Sequence, residues 1–142
     1  MNKKRGLLSG LAIVAATCLA LTGCSGSGSE PEVAENPEFA DGTTMAKLAD
    51  AGTITIGTKF DQPLFGLSGP DGTPEGFDVE IGKLIAADLG IAPDKIKWVE
   101  TVSQNREAFV QNGTVDIVIA TYTINDKRKE VIDFGGPYYV AG

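Results

Sequence analysis

The chain has 142 residues, 42% of them hydrophobic and 22% charged, which suits one ordinary globular domain and not two large ones. Its formal net charge is −7, which argues against a nucleic-acid partner, because neutralising a phosphate backbone needs a basic face. It contains no histidine, so the commonest general base and metal ligand is missing, and neither a metal nor a cofactor is expected.

Lys3, Lys4 and Arg5 make a basic start, followed by an uncharged, mostly apolar run from Leu7 to Leu21. That run is shorter than the roughly 20 apolar residues a spanning helix needs. A basic start, an apolar middle and small residues at the end read as a secretory signal peptide. The segment closes on "LTGC", Leu21 to Cys24, which resembles the lipobox of bacterial lipoproteins, where cleavage precedes the Cys and its thiol is lipidated. Residues 1–23 are therefore expected to be a lipoprotein signal peptide and Cys24 a palmitate-bearing anchor. Cys18 would leave with the signal, so no internal disulfide is expected. Residues 24–42 are small, polar and acidic with two prolines, and read as a flexible tether.

The folded part is expected over residues 43–142. "TTMAKLADAG" reads as a short helix with Met45, Leu48 and Ala49 on one side and Gly52 as its stop. "TITIG", Thr53 to Gly57, reads as a strand. "SGPDGTPEG" is turn chemistry, the tip of a hairpin. From Phe77 to Leu89, helical spacing places Phe77, Ile81, Leu84, Ile85 and Leu89 on one face. "KIKWVE" alternates as a strand with Ile96 and Trp98 on one side. "SQNREAFVQNG" reads as a helix with Ser103 at its N-cap and Gly113 beyond its end. "VDIVIA" is an apolar strand, with Asp116 a contact at its start. "NDKRKEV" is a short helix capped by Asn125, and the chain ends extended. Alternating strands and helices predict an α/β domain with a mainly parallel sheet flanked by helices.

Ligands of such sheets bind beyond the carboxyl ends of the strands. Three loops qualify, Thr58 to Phe65, Thr101 to Arg106 and Thr121 to Arg128, and they carry Lys59, Arg106 and Arg128. In the last loop Lys127, Arg128 and Lys129 stand at a helix start, the sign the helix dipole disfavours unless an anion binds there. Arginine's planar fork suits carboxylates. Thr121, Thr123 and Ser103 add hydroxyls beside the arginines. These residues suggest a small ligand with more than one negative group, or one anion held by several donors; solvated surface charge is the plainer alternative. Phe60 or Phe65 could cover an aliphatic part of a ligand, and Tyr122 could be a cleft wall or packing.

"GFDVEIGKLIAADL", Gly76 to Leu89, and "QNGTVDIVIATYTINDKRKEVIDFGGPYY" carry a resemblance. With the lipobox, the chain from about Met45 onward is identified as a member of the family 3 bacterial extracellular solute-binding proteins, and resembles the glutamate-binding lipoproteins of actinobacteria. The resemblance implies two α/β lobes clamping an amino acid, of which this chain supplies the first. It implies that Arg128 pairs with the α-carboxylate and that Thr121 and Thr123 hold the α-amino and α-carboxylate groups. "SQNR", Ser103 to Arg106, and Lys59 resemble the acidic-amino-acid binders, which implies glutamate ahead of aspartate. The implied partners are an ABC transporter permease and, through Cys24, the outer face of the cytoplasmic membrane, with the protein a monomer and not an enzyme. The family runs on into a second lobe where this chain stops, so an incomplete family domain with weak or no glutamate binding is expected. The rivals are a dehydratase-like enzyme of the same fold, drawing on Asp61, Glu75 or Asp78, and a receptor's sensory domain. Glu75 lies in turn chemistry, and Asp78 reads more simply as a first-turn helix acid.

Overall fold

A computed structural model describes residues 30–142; the expected signal peptide and Cys24 lie outside the described residues. The first helix, α1 (Thr44–Ala51), is capped by Thr43, whose Oγ1 accepts from the Ala46 N–H at 3.2 Å, and stops at Gly52 in the left-handed region. β1 (Ile54–Thr58) follows, then three short strands, β2 (Asp61–Gln62), β3 (Gly66–Ser68) and β4 (Pro74–Glu75). These three form an antiparallel sheet, with the Gly69–Thr73 turn at the tip of the β3–β4 hairpin. Next come α2 (Phe77–Asp88), a 3-10 turn (Pro93–Lys95), β5 (Ile96–Glu100), α3 (Arg106–Gln111), β6 (Ile117–Val118) and α4 (Asp126–Lys129).

β1 is the centre of a parallel sheet ordered β5-β1-β6. Parallel strands need crossovers, and the helices that supply them cover the sheet. Ile54 and Ile56 alternate inward with Ile96, and Leu48, Ala86, Leu89, Ile91 and Ile119 close the core around them. β6 is short, but its pairing is prolonged by Asp116 N–H to Thr55 O at 2.9 Å and Ile119 N–H to Gly57 O at 2.8 Å. Asp116 also accepts from the Thr55 N–H through Oδ2 at 2.8 Å, the strand-start contact its position suggests.

Three expectations need correction. The buried face of α2 is Asp78, Val79, Gly82, Ala86 and Ala87, whereas Phe77, Leu84 and Ile85 are 40%, 51% and 38% exposed. Close approach explains the rotation: a Cβ on Gly82 would stand 2.7 Å from the Trp98 ring and 3.3 Å from Ile56 Cδ1. The helix rides on the sheet through its small residues, so the large ones fall outside. Met45 of α1 is 48% exposed, and only Leu48 of that helix is buried. Ser103 does not cap α3; Asn105 holds that position, and Ser103 lies in the turn before it.

The described part of the acidic stretch, Glu30 to Gly42, includes residues that touch the domain. The Ala34 N–H donates to Ala87 O at 2.9 Å, Pro37 abuts Gly90, and Phe39 packs against the core. Ordered packing therefore begins before Thr43. The Phe39 ring buries apolar surface while the flanking carboxylates stay in water. Among the described residues no helix is long and apolar enough to cross a membrane.

A candidate anion site at the carboxyl edge of the sheet

The three loops selected by topology meet at the carboxyl ends of β1, β5 and β6. Two side-chain contacts join them, beside the bond from the Thr101 N–H to Thr58 O at 2.8 Å. Thr121 Oγ1 donates to Gln62 Oε1 at 2.8 Å, tying the loop after β6 to the loop after β1. Two guanidinium groups lie over the Tyr122 ring, Arg106 at 4.8 Å and Arg128 at 4.5 Å from its centroid, tying in the loop after β5. Both distances lie within the range where a cation is drawn to the ring face. Tyr122 thus lowers the energy of two neighbouring like charges. It also packs on Phe134, ring centroids 5.4 Å apart.

The two arginines differ in their partners. Arg128 donates through Nη1 to Thr123 O at 2.7 Å, and its Nε lies 3.4 Å from Glu107 Oε1. Arg106 is buried, 6% exposed, and donates through Nη2 to Ser103 Oγ at 3.1 Å. Its Nε is buried without a partner, and no carboxylate among the described residues lies within ion-pair distance of it. Burial, and then the Arg128 charge, lower its pKa from the ordinary arginine value. The Tyr122 phenol lies near enough to Glu107 to lower that carboxyl's pKa, with Arg128 and Arg106 contributing less. Burial first and Glu107 second push the phenol itself up to about 12. The pair is a close polar contact rather than a well-formed hydrogen bond, since the buried Tyr122 hydroxyl has no partner in good geometry.

Lys59 is placed differently. Its Nζ lies 2.9 Å from Asp61 Oδ1. Phe60 is half-buried beside it. Phe65 joins an aromatic cluster, 6.2 Å from Phe77 and 5.5 Å from Tyr139 between ring centroids. The helix dipole does not act on the last loop as its residue order predicts. α4 is four residues long, so its first turn is also its last, and the dipole favours neither sign at Lys127, Arg128 and Lys129. Asn125 caps it, Oδ1 accepting from the Arg128 N–H at 3.0 Å.

The motif reading did not assign Gln62 or Glu107, and it underrated Asp78. That side chain is fully buried rather than a simple surface acid of the first turn, and it accepts from the Thr121 N–H at 2.7 Å. A buried carboxylate contradicts expectation from its neighbours only through tertiary contacts, which spacing does not reveal. The carboxylates considered for acid chemistry are not brought together: Asp61 pairs with Lys59, Glu75 is exposed, and Asp78 lies inside. Among the described residues no cluster of acidic, cysteine or histidine side chains could hold a metal. An open depression of about 630 Å³ beside α4 shares Arg128 and Glu107 with the site but not Arg106.

The model of the bacterial extracellular solute-binding proteins, family 3, matches residues 54–142. The chain is 44% identical over 101 residues to the glutamate-binding protein GluB of Corynebacterium efficiens, covering 68% of this chain and 34% of that protein. It is 37% identical over 138 residues to a glutamine-binding protein of Geobacillus stearothermophilus, covering 93% of this chain and 53% of that one. The chain thus spans between 34% and 53% of the length of these relatives. Among solved structures, a mutant of the arginine-bound form of domain 1 from TmArgBP superposes with a TM-score of 0.62 at 30% identity, over 69% of this chain and 74% of that one. An α/β lobe, its ligand edge and these likenesses agree: the chain belongs to the bacterial extracellular solute-binding proteins, family 3.

Proposed function

We propose that the chain supplies the first lobe of an extracytoplasmic binding protein that captures an acidic amino acid, glutamate ahead of aspartate, for an ABC transporter permease. The observation that carries this reading is the buried Arg106 guanidinium with no counter-ion of its own. An unpaired buried charge is expensive, and a ligand carboxylate offsets that expense. Arg106 with Ser103 takes the side-chain carboxylate. Arg128, with Thr121 and Thr123, takes the α-carboxylate and α-amino groups, and Phe60 borders the aliphatic part. Lys59 lends positive potential at longer range. Residues 1–23 are removed as a signal peptide, Cys24 is lipidated, and 43–142 form the lobe. The protein works as a monomer on the outer face of the cytoplasmic membrane.

A second reading, glutamine, is favoured by one observation. Asp61 neutralises Lys59, so a side-chain carboxylate would meet a single unpaired cation. The Geobacillus stearothermophilus relative is a glutamine-binding protein. The arginine-bound domain 1 of TmArgBP supports the idea that one lobe can hold its ligand, though an open site stays wet and its charge pairs are screened. Calorimetric titration of the chain with L-glutamate, L-aspartate and L-glutamine tests this. Heat with glutamate exceeding that with glutamine supports the proposal and the reverse order selects the second reading; no heat with any of the three from a form that carries both lobes sinks both.

A further inference from the structure

The Gly-Phe-Asp run at the start of α2 touches none of the side chains assigned to a ligand, yet its geometry leads to them. Gly76 has φ +130°, and a Cβ there would stand 2.6 Å from the Phe65 backbone. Only glycine lets the chain pass that close. The Phe77 and Asp78 N–H groups then donate to Leu64 O at 2.8 Å and Phe65 O at 2.9 Å. This fixes the first turn of α2 beneath the end of β6 and buries the Asp78 side chain completely. Its Oδ2 accepts from the Thr121 N–H at 2.7 Å, and its Oδ1 accepts from the Tyr138 hydroxyl at 2.9 Å.

Both partners matter. Thr121 is β-branched and has φ +46°, a backbone region such residues rarely occupy. Something must hold it there, and the charge-assisted hydrogen bond its N–H donates to a buried carboxylate is the strong local candidate. The next residue, Tyr122, is the ring that the two guanidiniums share. Tyr138 lies in the C-terminal segment, packed at 6.0 Å on the Phe77 ring. One carboxylate therefore bridges the turn that aims Tyr122 and the segment that leaves the domain.

We propose that Asp78 is a positioning residue: by bridging the Thr121 N–H and the Tyr138 hydroxyl it sets the turn that carries Tyr122 and makes ligand affinity sensitive to the C-terminal segment. The part that concerns affinity rests on the amino-acid reading above; the bridge itself does not. The groups facing Asp78 that bear on its charge are Tyr138 and, more weakly, Arg106. Burial raises its pKa above the ordinary carboxylate value despite the two donors. With the folded value above the unfolded one, the native state holds this proton more tightly. The stability it lends is complete below the ordinary carboxylate pKa and is lost as pH rises through the raised one. A buried charge that lowers neutral-pH stability fits a functional role better than a structural one.

The test follows the Thr121 amide by NMR in the ligand-free chain as pH is lowered. The amide resonance is expected to titrate with a midpoint above that of an exposed aspartate. It should stay flat in Asp78→Asn, and move with a higher midpoint in Tyr138→Phe, which removes a donor to the ionised form. A flat Thr121 amide in the wild type, or an unchanged titration in Asp78→Asn, overturns the bridge. L-Glutamate titration then gives the functional half. Asp78→Asn is expected to weaken binding about tenfold, the scale of one lost charge-assisted hydrogen bond, without lowering the unfolding midpoint at neutral pH. Tyr138→Phe should weaken it less. Unchanged affinity in both variants, or parallel loss of affinity and stability, overturns the positioning role. If a form that carries both lobes binds no amino acid, the functional reading fails, and the amide titration still decides the bridge.

Discussion

Lys59 and Arg106 stand at the carboxyl ends of neighbouring parallel strands, and sequence position treats them alike. Their surroundings do not. Lys59 reaches an aspartate two residues along, and that aspartate is exposed, so the pair is an ordinary partly solvated ion pair. Such pairs contribute little. Arg106 is held inside by Tyr122 and Ser103 with no carboxylate within ion-pair distance among the described residues. A cation that already has its counter-ion has little left for a ligand, whereas a buried cation without one gains most from a ligand carboxylate. The comparison teaches that burial and partner, rather than position at the strand ends, decide which charge can select an anion.

The largest expected effect follows from removing the unpaired charge. Arg106→Met should weaken glutamate binding by roughly 100-fold, about 3 kcal/mol, because it truncates one side of a desolvated charge pair. Its unfolding midpoint should not fall, since burying a methionine relieves an unpaired ion. Calorimetry and thermal unfolding of the same preparation check both halves. Next in size is the ring. Tyr122→Leu removes the π face that both guanidiniums share and should cost roughly tenfold in affinity. Tyr122→Phe keeps the face and should stay within about threefold of wild type, because the hydroxyl makes no well-formed hydrogen bond.

Glu107 tests the opposite direction. It lies 3.4 Å from Arg128 Nε, and both side chains are partly exposed. Glu107→Gln frees Arg128 for a ligand carboxylate and should tighten glutamate binding by up to about threefold, the modest scale of a solvated pair. The smallest change is expected at Lys59. Lys59→Met should alter affinity by less than about threefold, and raising the ionic strength should narrow even that. A larger effect at Lys59 than at Tyr122 would reverse the ranking and place the selective charge on the first loop.

The fold was readable where periodicity and punctuation act locally. The Ile54 and Ile56 alternation, the Gly52 stop and the Asn125 cap all appear where residue type demands them. The buried face of α2 was not readable, because hydrophobic spacing weighs large side chains, while this helix packs by close approach through Gly82 and Ala86. The site was readable as three loops, since topology alone selects them. What spacing could not show was which cation carries a counter-ion, that two arginines share the Tyr122 ring, or that Asp78 reaches across 43 residues to Thr121. Those facts depend on tertiary approach. One local signal was available for Lys59: an aspartate two residues away at a strand end is within reach of its long side chain.

The most direct measurement is the ratio of glutamine to glutamate dissociation constants, by calorimetry, in the wild type and in Arg106→Met. Glutamine has the same backbone groups and nearly the same shape, so the ratio isolates the side-chain charge. If Arg106 is the partner of that charge, the wild type favours glutamate and the preference collapses toward unity in the variant while some glutamine binding survives. A preference for glutamate that persists undiminished in Arg106→Met would contradict the account.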